Sequence, residues 1–181
     1  MIHIKNHLNI NKNIASVVVL LLFCCVIFWG CVKNDKLYSP EEGTIYMPQA
    51  YQDKGKLDTL FVDSSLTVYF GSAYGGFNSP VKEISTTFEV DTTLIAKYNT
   101  NNIYSGKTYF AFPEGSYTIS SFTSTIEPGS TSSTPLILTI NTSNLSFGKY
   151  YILPVKLTSA SSGNIDTSLA ITYFISDTLK H

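Results

Sequence analysis

The sequence contains no arginine, one tryptophan (Trp29), three cysteines (Cys24, Cys25, Cys31) and three histidines (His3, His7, His181). Residues 32–180 therefore hold no cysteine, histidine or tryptophan. Serine and cysteine nucleophiles are usually activated by an imidazole base, so Ser-His-Asp and Cys-His arrangements are excluded from that stretch. Structural zinc sites built from histidine and cysteine are excluded for the same reason, and so are disulfides. Twelve basic residues face thirteen acids, for a formal charge of −1. Without arginine or a basic excess there is no footprint for phosphates, so nucleic acid is not an expected partner. No GxxxxGK or GxGxxG loop occurs, and Gly75-Gly76 reads as a turn.

What is present begins with an address. Lys5 and Lys12 precede an almost unbroken apolar run from Ile14 to Gly30. That order of parts is an export signal. The run is longer than a usual signal core of about 7–15 residues and shorter than the roughly 20 needed to span a bilayer. Lys33 and Lys36 are offset by Asp35, Glu41 and Glu42, so no stop-transfer flank follows. Cys31, directly after Phe28-Trp29-Gly30, resembles a bacterial lipoprotein cleavage site. Residues 1–30 are then a signal peptide, and Cys31 is the lipidated first residue of the mature chain. An uncleaved anchor and ordinary secretion are the alternatives. Cleavage there leaves ten lysines against thirteen acids and removes Trp29.

Residues 31–43 are polar and rich in turn formers, and read as a tether. Residues 44–181 read as one domain with period-two alternation almost throughout. Leu66, Val68 and Phe70 share one face, as do Ile84, Thr86, Phe88 and Val90. Leu136, Leu138 and Ile140 form a third set, and Leu169, Ile171, Tyr173 and Ile175 a fourth. Half-buried strands have this pattern. Tyr74-Gly75-Gly76, Asn78-Ser79-Pro80, Pro113-Glu114-Gly115, Glu127-Pro128-Gly129-Ser130 and Ser161-Ser162-Gly163-Asn164 mark turns between them. The expected fold is all-β: an immunoglobulin-like antiparallel sandwich of about 7–9 strands. One short helix near 91–98, capped by Asp91 and carrying Leu94 and Tyr98 at i, i+4, is expected to plug one end of it. Leu145 to Tyr150 has the spacing of a tyrosine corner with Tyr150 as the phenol. The apolar face of the next strand is Tyr151, Leu153, Val155 and Leu157, so either Tyr150 turns inward before a bulge or there is no corner. Pro154 cannot donate to a ladder, which predicts an edge strand or a bulge at that residue.

Five segments occur in order: Ile45–Ala50, Val68–Gly76, Phe88–Asp91 before Tyr98-Asn99, Phe112–Tyr117 and Tyr151–Val155. Together they resemble domain-of-unknown-function family 1735 of Bacteroidota lipoproteins. They are also similar to the immunoglobulin-like N-terminal module of surface family 18 endo-β-N-acetylglucosaminidases. The likeness covers about residues 43–176. It implies an outer-membrane location, lipid-anchored on either face, and a partner that is polysaccharide or a glycan-uptake protein. With the chain ending at His181, no catalytic or lectin domain is expected to follow. The expected role is a non-catalytic accessory of glycan utilisation, with no cofactor. A pilus or adhesin subunit is the alternative, and a glycan-active enzyme a third.

Candidate site residues follow from composition. Twelve tyrosines and, beyond residue 30, nine phenylalanines are the richest resource. Sugar rings stack on exposed aromatic faces while amides bind their hydroxyls. Tyr74, Phe77 and Asn78, in a loop opened by Gly75-Gly76, are the candidate glycan platform. Glu89 and Asp91 lie at i, i+2, about 6–7 Å apart by strand rise, which overlaps glycosidase spacing. A solvated sheet face near Lys82 is the simpler reading of that pair. Oxygens of Asp53, Asp58 or Asn99–Asn102 lack the dense acidic spacing of a calcium loop, and no metal is expected. Thr59 and Thr178, each in Asp-Thr-Leu, resemble sites of O-glycosylation on exported Bacteroidota proteins.

Overall fold

In the period-two segments, alternate side chains fall on opposite faces of a strand, and one face is apolar. The computed structural model describes residues 43–51, 55, 57 and 59–181. The signal segment, Cys31, the tether up to residue 42, Asp53 and Asp58 lie outside the described residues. Eleven strands are present among the described residues: β1 (Thr44–Tyr46), β2 (Ser65–Phe70), β3 (Ala73–Gly75), β4 (Ile84–Val90), β5 (Tyr109–Ala111), β6 (Tyr117–Ile119), β7 (Thr123–Ile126), β8 (Leu136–Asn141), β9 (Tyr150–Ala160), β10 (Asn164–Ile165) and β11 (Ile171–Ile175). One α-helix, α1 (Leu94–Asn101), follows β4.

The strands form a sandwich. One sheet runs β11-β9-β4-β7, and the facing one runs β2-β8-β6. A small third sheet, β10-β1-β3, buries Ile45, and Met47 follows it into the core. Pairing is antiparallel except for β1 with β10 and β5 with β9. The predicted inward faces of β2, β4, β8 and β9 meet in one core. Phe70 joins the two layers, touching Phe88 edge-on at 5.7 Å and Phe174 at 5.6 Å. Each fully buried side chain of this size contributes about 1.5–3 kcal/mol of transfer free energy. Inward hydroxyls are bonded, as burial requires: the Thr86 hydroxyl donates to the Ser124 carbonyl at 3.1 Å and pairs with the Ser72 hydroxyl at 3.0 Å.

Four expectations are corrected. The buried face of β11 is Thr172 and Phe174, whereas Ile171, Tyr173 and Ile175 are half-buried on the outer side. The outer side is apolar because it too is covered, by Tyr98 of α1 against Tyr173 at 4.6 Å between ring centroids. Helix α1 accordingly packs on that outer face rather than at an end of the sandwich, and it runs on to Asn101.

Pro154, thirdly, sits neither on an edge strand nor at the bulge. β9 has β11 on one side, with β4 and then β5 on the other. The Pro154 carbonyl accepts from the Asp91 N–H at 3.1 Å, so its ring nitrogen points the same way. β4 ends opposite Val155 and β5 ends opposite Ile152, and the Asp91 C=O that a donor at residue 154 would have met accepts from the Leu94 N–H at 3.3 Å instead, so the missing N–H strands no acceptor. The bulge occurs further on, where Thr87 faces Ser159 but Phe88 faces Leu157.

The tyrosine corner exists, but Tyr151 makes it. Its phenol oxygen accepts from the Ser146 N–H at 2.9 Å, while Tyr150 stays half-buried on the outer face. Tyr151→Phe orphans that part-buried N–H, and the expected loss is about 1 kcal/mol in a denaturant titration.

Candidate functional site

The loop after β3 is anchored at both ends. The Tyr74 phenol accepts from the Gly43 N–H at 3.0 Å, and the Tyr74 N–H donates to the Thr131 carbonyl at 2.9 Å. At the far end the buried Pro80 accepts from the Gly129 N–H at 2.8 Å. The Tyr74 ring lies against two glycines. A Cβ on Gly76 would come within 2.6 Å of the ring and one on Gly43 within 2.2 Å, so both positions need glycine. Tyr74 is therefore a half-buried strut of the loop. Phe77 at 87% exposure and Val81 at 88% carry its apolar surface, with the Asn78 amide exposed beside Phe77. The loop presents one free aromatic face and one amide, rather than the Tyr74–Phe77 pair expected.

The carboxylate pair takes structural roles. Glu89 meets Lys156, not Lys82, at 3.5 Å across the β4–β9 pairing. Asp91 accepts from the Thr93 N–H at 3.1 Å in the turn before α1; the helix begins with Thr93 as N-cap and no side-chain cap bond, so the predicted cap by Asp91 is corrected to a local turn. Asn99 and Asn102 are similarly committed. The Asn99 amide donates to the Tyr109 carbonyl and accepts from the Tyr109 N–H, both at 2.9 Å, and Asn102 donates to the Tyr98 carbonyl at 2.9 Å. Asn99 thus takes the place of a neighbouring strand for the first residue of β5. Among the described residues no cluster of three or more His, Cys, Asp or Glu could hold a metal.

Beside α1 lies a tyrosine-rich surface. Tyr98 touches Tyr109 and Tyr173, and Tyr109 touches Tyr150. Burial pushes the Tyr109 and Tyr173 phenols above the ordinary range. The Lys107 ammonium sits 4.6 Å over the Tyr150 ring and 3.1 Å from Asp177; the hydrogen bond to Asp177 raises its pKa. These rings cover one another, which leaves them little face for a ligand. Ile103 and Tyr104, at 68% and 100% exposure, project from the turn after α1. They were not predicted; the only sequence signal is an apolar pair set between Asn101-Asn102 and Ser105-Gly106. Thr59 is exposed before the buried Leu60, and Thr178 is half-exposed between Asp177 and the buried Leu179.

The architecture is that of a β-sandwich, and the comparisons agree with that fold. A family model described as a "-like, N-terminal domain" matches residues 38–164. The chain belongs to that family of N-terminal domains, in keeping with its likeness to the domain-of-unknown-function 1735 lipoproteins. Among solved structures it is similar to a candidate carbohydrate binding protein from Bacteroides ovatus, with a TM-score of 0.56 at 16% identity over 76% of this chain and 37% of that one. EndoBT-3987 of Bacteroides thetaiotamicron, solved with Man5GlcNAc product, matches with a TM-score of 0.54 at 15% identity over 74% of this chain and 30% of that one. A multidomain protein including DUF1735 from Bacteroides ovatus matches with a TM-score of 0.50 at 14% identity, over 67% and 44%. At such identities the likeness establishes the fold. The chain spans less than half the length of each of these three structures. No curated protein matches the sequence. No helix among the described residues is long and apolar enough to cross a membrane.

Proposed function

We propose that this protein is a non-catalytic, lipid-anchored accessory of a glycan-utilisation system, which binds glycan at the Phe77 loop. The observation that carries the reading is the exposed Phe77 beside the Asn78 amide, on a loop fixed by Tyr74 and Pro80. A fixed loop loses little conformational entropy on binding, which favours a weak ligand such as a sugar. The shared fold of a candidate carbohydrate binding protein supports the same class of ligand. Cys31 would carry the lipid and place the sandwich at an outer-membrane surface. Thr59 and Thr178 would be the modification sites on that exported chain.

The test is a glycan array probed with the mature lipidated chain in detergent micelles. Phe77→Ala is expected to lose signal at least about tenfold on whichever glycans bind, since truncating a central aromatic anchor of a binding site costs about 2 kcal/mol or more and about 1.4 kcal/mol is tenfold in affinity. Stability should change by less than about 0.5 kcal/mol, because the side chain is exposed. Equal signal from the wild type and Phe77→Ala would remove the loop as the site.

A further inference from the structure

β2 is a sheet edge of an unusual kind. It lies at the end of the order β2-β8-β6, and its sequence Ser-Leu-Thr-Val-Tyr-Phe holds no charge, proline or glycine. Exposed edges are normally blunted by such residues, because their free N–H and C=O groups template pairing with another strand.

The hydrogen bonds identify which groups are free. Just before the strand, Ser64 accepts from the Thr142 N–H at 3.0 Å and donates its own N–H to the Thr142 hydroxyl at 2.9 Å, so Ser64 points at β8. Residues alternate in direction along a strand. Leu66, Val68 and Phe70 thus point their backbone groups at β8, and Ser65, Thr67 and Tyr69 point theirs outward. β8 gives the same answer from its other side. Ile137 and Asn141 bond toward β6, to Ser120 and Ser116, which leaves Leu136, Leu138 and Ile140 for β2. Among the described residues no group bonds the outward N–H or C=O of Ser65, Thr67 or Tyr69. Along the same edge Leu66 and Val68 are only partly buried against the core.

We infer that β2 pairs with β2 of a second copy of this chain, antiparallel about a two-fold axis through Thr67. In antiparallel pairing, opposed residues share a face, so a strand centred on Thr67 sets Thr67 against Thr67 and Ser65 against Tyr69. That register satisfies all three outward N–H and all three outward C=O groups of each copy. It sets Leu66 against Val68 on the inner side, completing the cover that each lacks alone. With no charge on the strand, the two-fold axis opposes no like charges. What is particular to this edge is the mutual cover of Leu66 and Val68 and the lack of charge across the axis.

The register makes the inference testable by disulfide trapping of the full-length chain in membranes, with dimers identified by peptide mass. Hydrogen-bonded antiparallel pairs have Cα atoms about 5.5 Å apart, within disulfide reach. Thr67→Cys is expected to give a reducible dimer linked at residue 67. Ser65→Cys alone should not, but mixed with Tyr69→Cys it should give the 65–69 crosslink. Asn141→Cys, exposed on the next strand, should give none. Adding Thr67→Pro removes an N–H that faces outward, so the ladder to β8 survives while the 65–69 crosslink is lost. An unchanged thermal melt shows that this variant folds. No dimer with Thr67→Cys, a Ser65→Cys dimer of equal yield, or a crosslink that survives Thr67→Pro would each overturn the pairing.

Discussion

Phe70→Ala is expected to lower the unfolding free energy by about 3–5 kcal/mol. Phe70 is 2% exposed and touches Phe88 of β4 and Phe174 of β11, so it bridges the two layers from a strand at the end of its sheet. Truncation removes the transfer free energy of the ring and leaves a cavity. That cavity lies between layers whose strands are fixed by their ladders, so neighbours can collapse into it only in part. Total stability for a domain of this kind is about 5–15 kcal/mol, so the variant should be close to unfolding at growth temperature. A denaturant titration checks it, with Phe77→Ala as the exposed-aromatic control. A loss below about 1 kcal/mol would contradict the central place given to Phe70.

Asn99→Leu is the second large effect, at about 2–3 kcal/mol. The amide of Asn99 holds both the N–H and the C=O of Tyr109, and Tyr109 is 9% exposed. Leucine leaves two part-buried backbone groups without their side-chain partner, each at the low end of the about 1–3 kcal/mol cost of an unsatisfied group. Asn99→Asp keeps the acceptor and loses the donor, and should fall between leucine and wild type. Native-state hydrogen exchange at the Tyr109 amide is the site-specific check: exchange should speed up in Asn99→Leu and stay slow in Asn99→Asp.

Asn99 also shows where the sequence stops being readable. Alternation in β2, β4, β8 and β9 places most of the core, because a strand with one wet face must alternate. Gly115, Gly129 and Gly163 lie in the predicted turns with positive φ, the conformation that favours glycine there. β11 misleads because both its faces are covered, so polarity no longer distinguishes them. Pro154 misleads because a central strand can lose one partner before gaining the next. The bonds of Asn99 to Tyr109 cross ten residues through a helix and a loop, and no periodicity reports them. The candidate site is mixed in the same way. The exposure of Phe77 was legible from its glycine-opened loop. The strut role of Tyr74 was not, since it depends on Gly43, thirty-one positions away.

Binding without turnover is the claim on which the functional proposal rests. Affinity electrophoresis of the native full-length protein through gels containing each polysaccharide, followed by analysis of that polysaccharide for chain cleavage, tests both halves together. Retarded migration of the wild type, normal migration of Phe77→Ala and intact polysaccharide are predicted. Unretarded wild type in every gel, or shortened glycan chains, would contradict it.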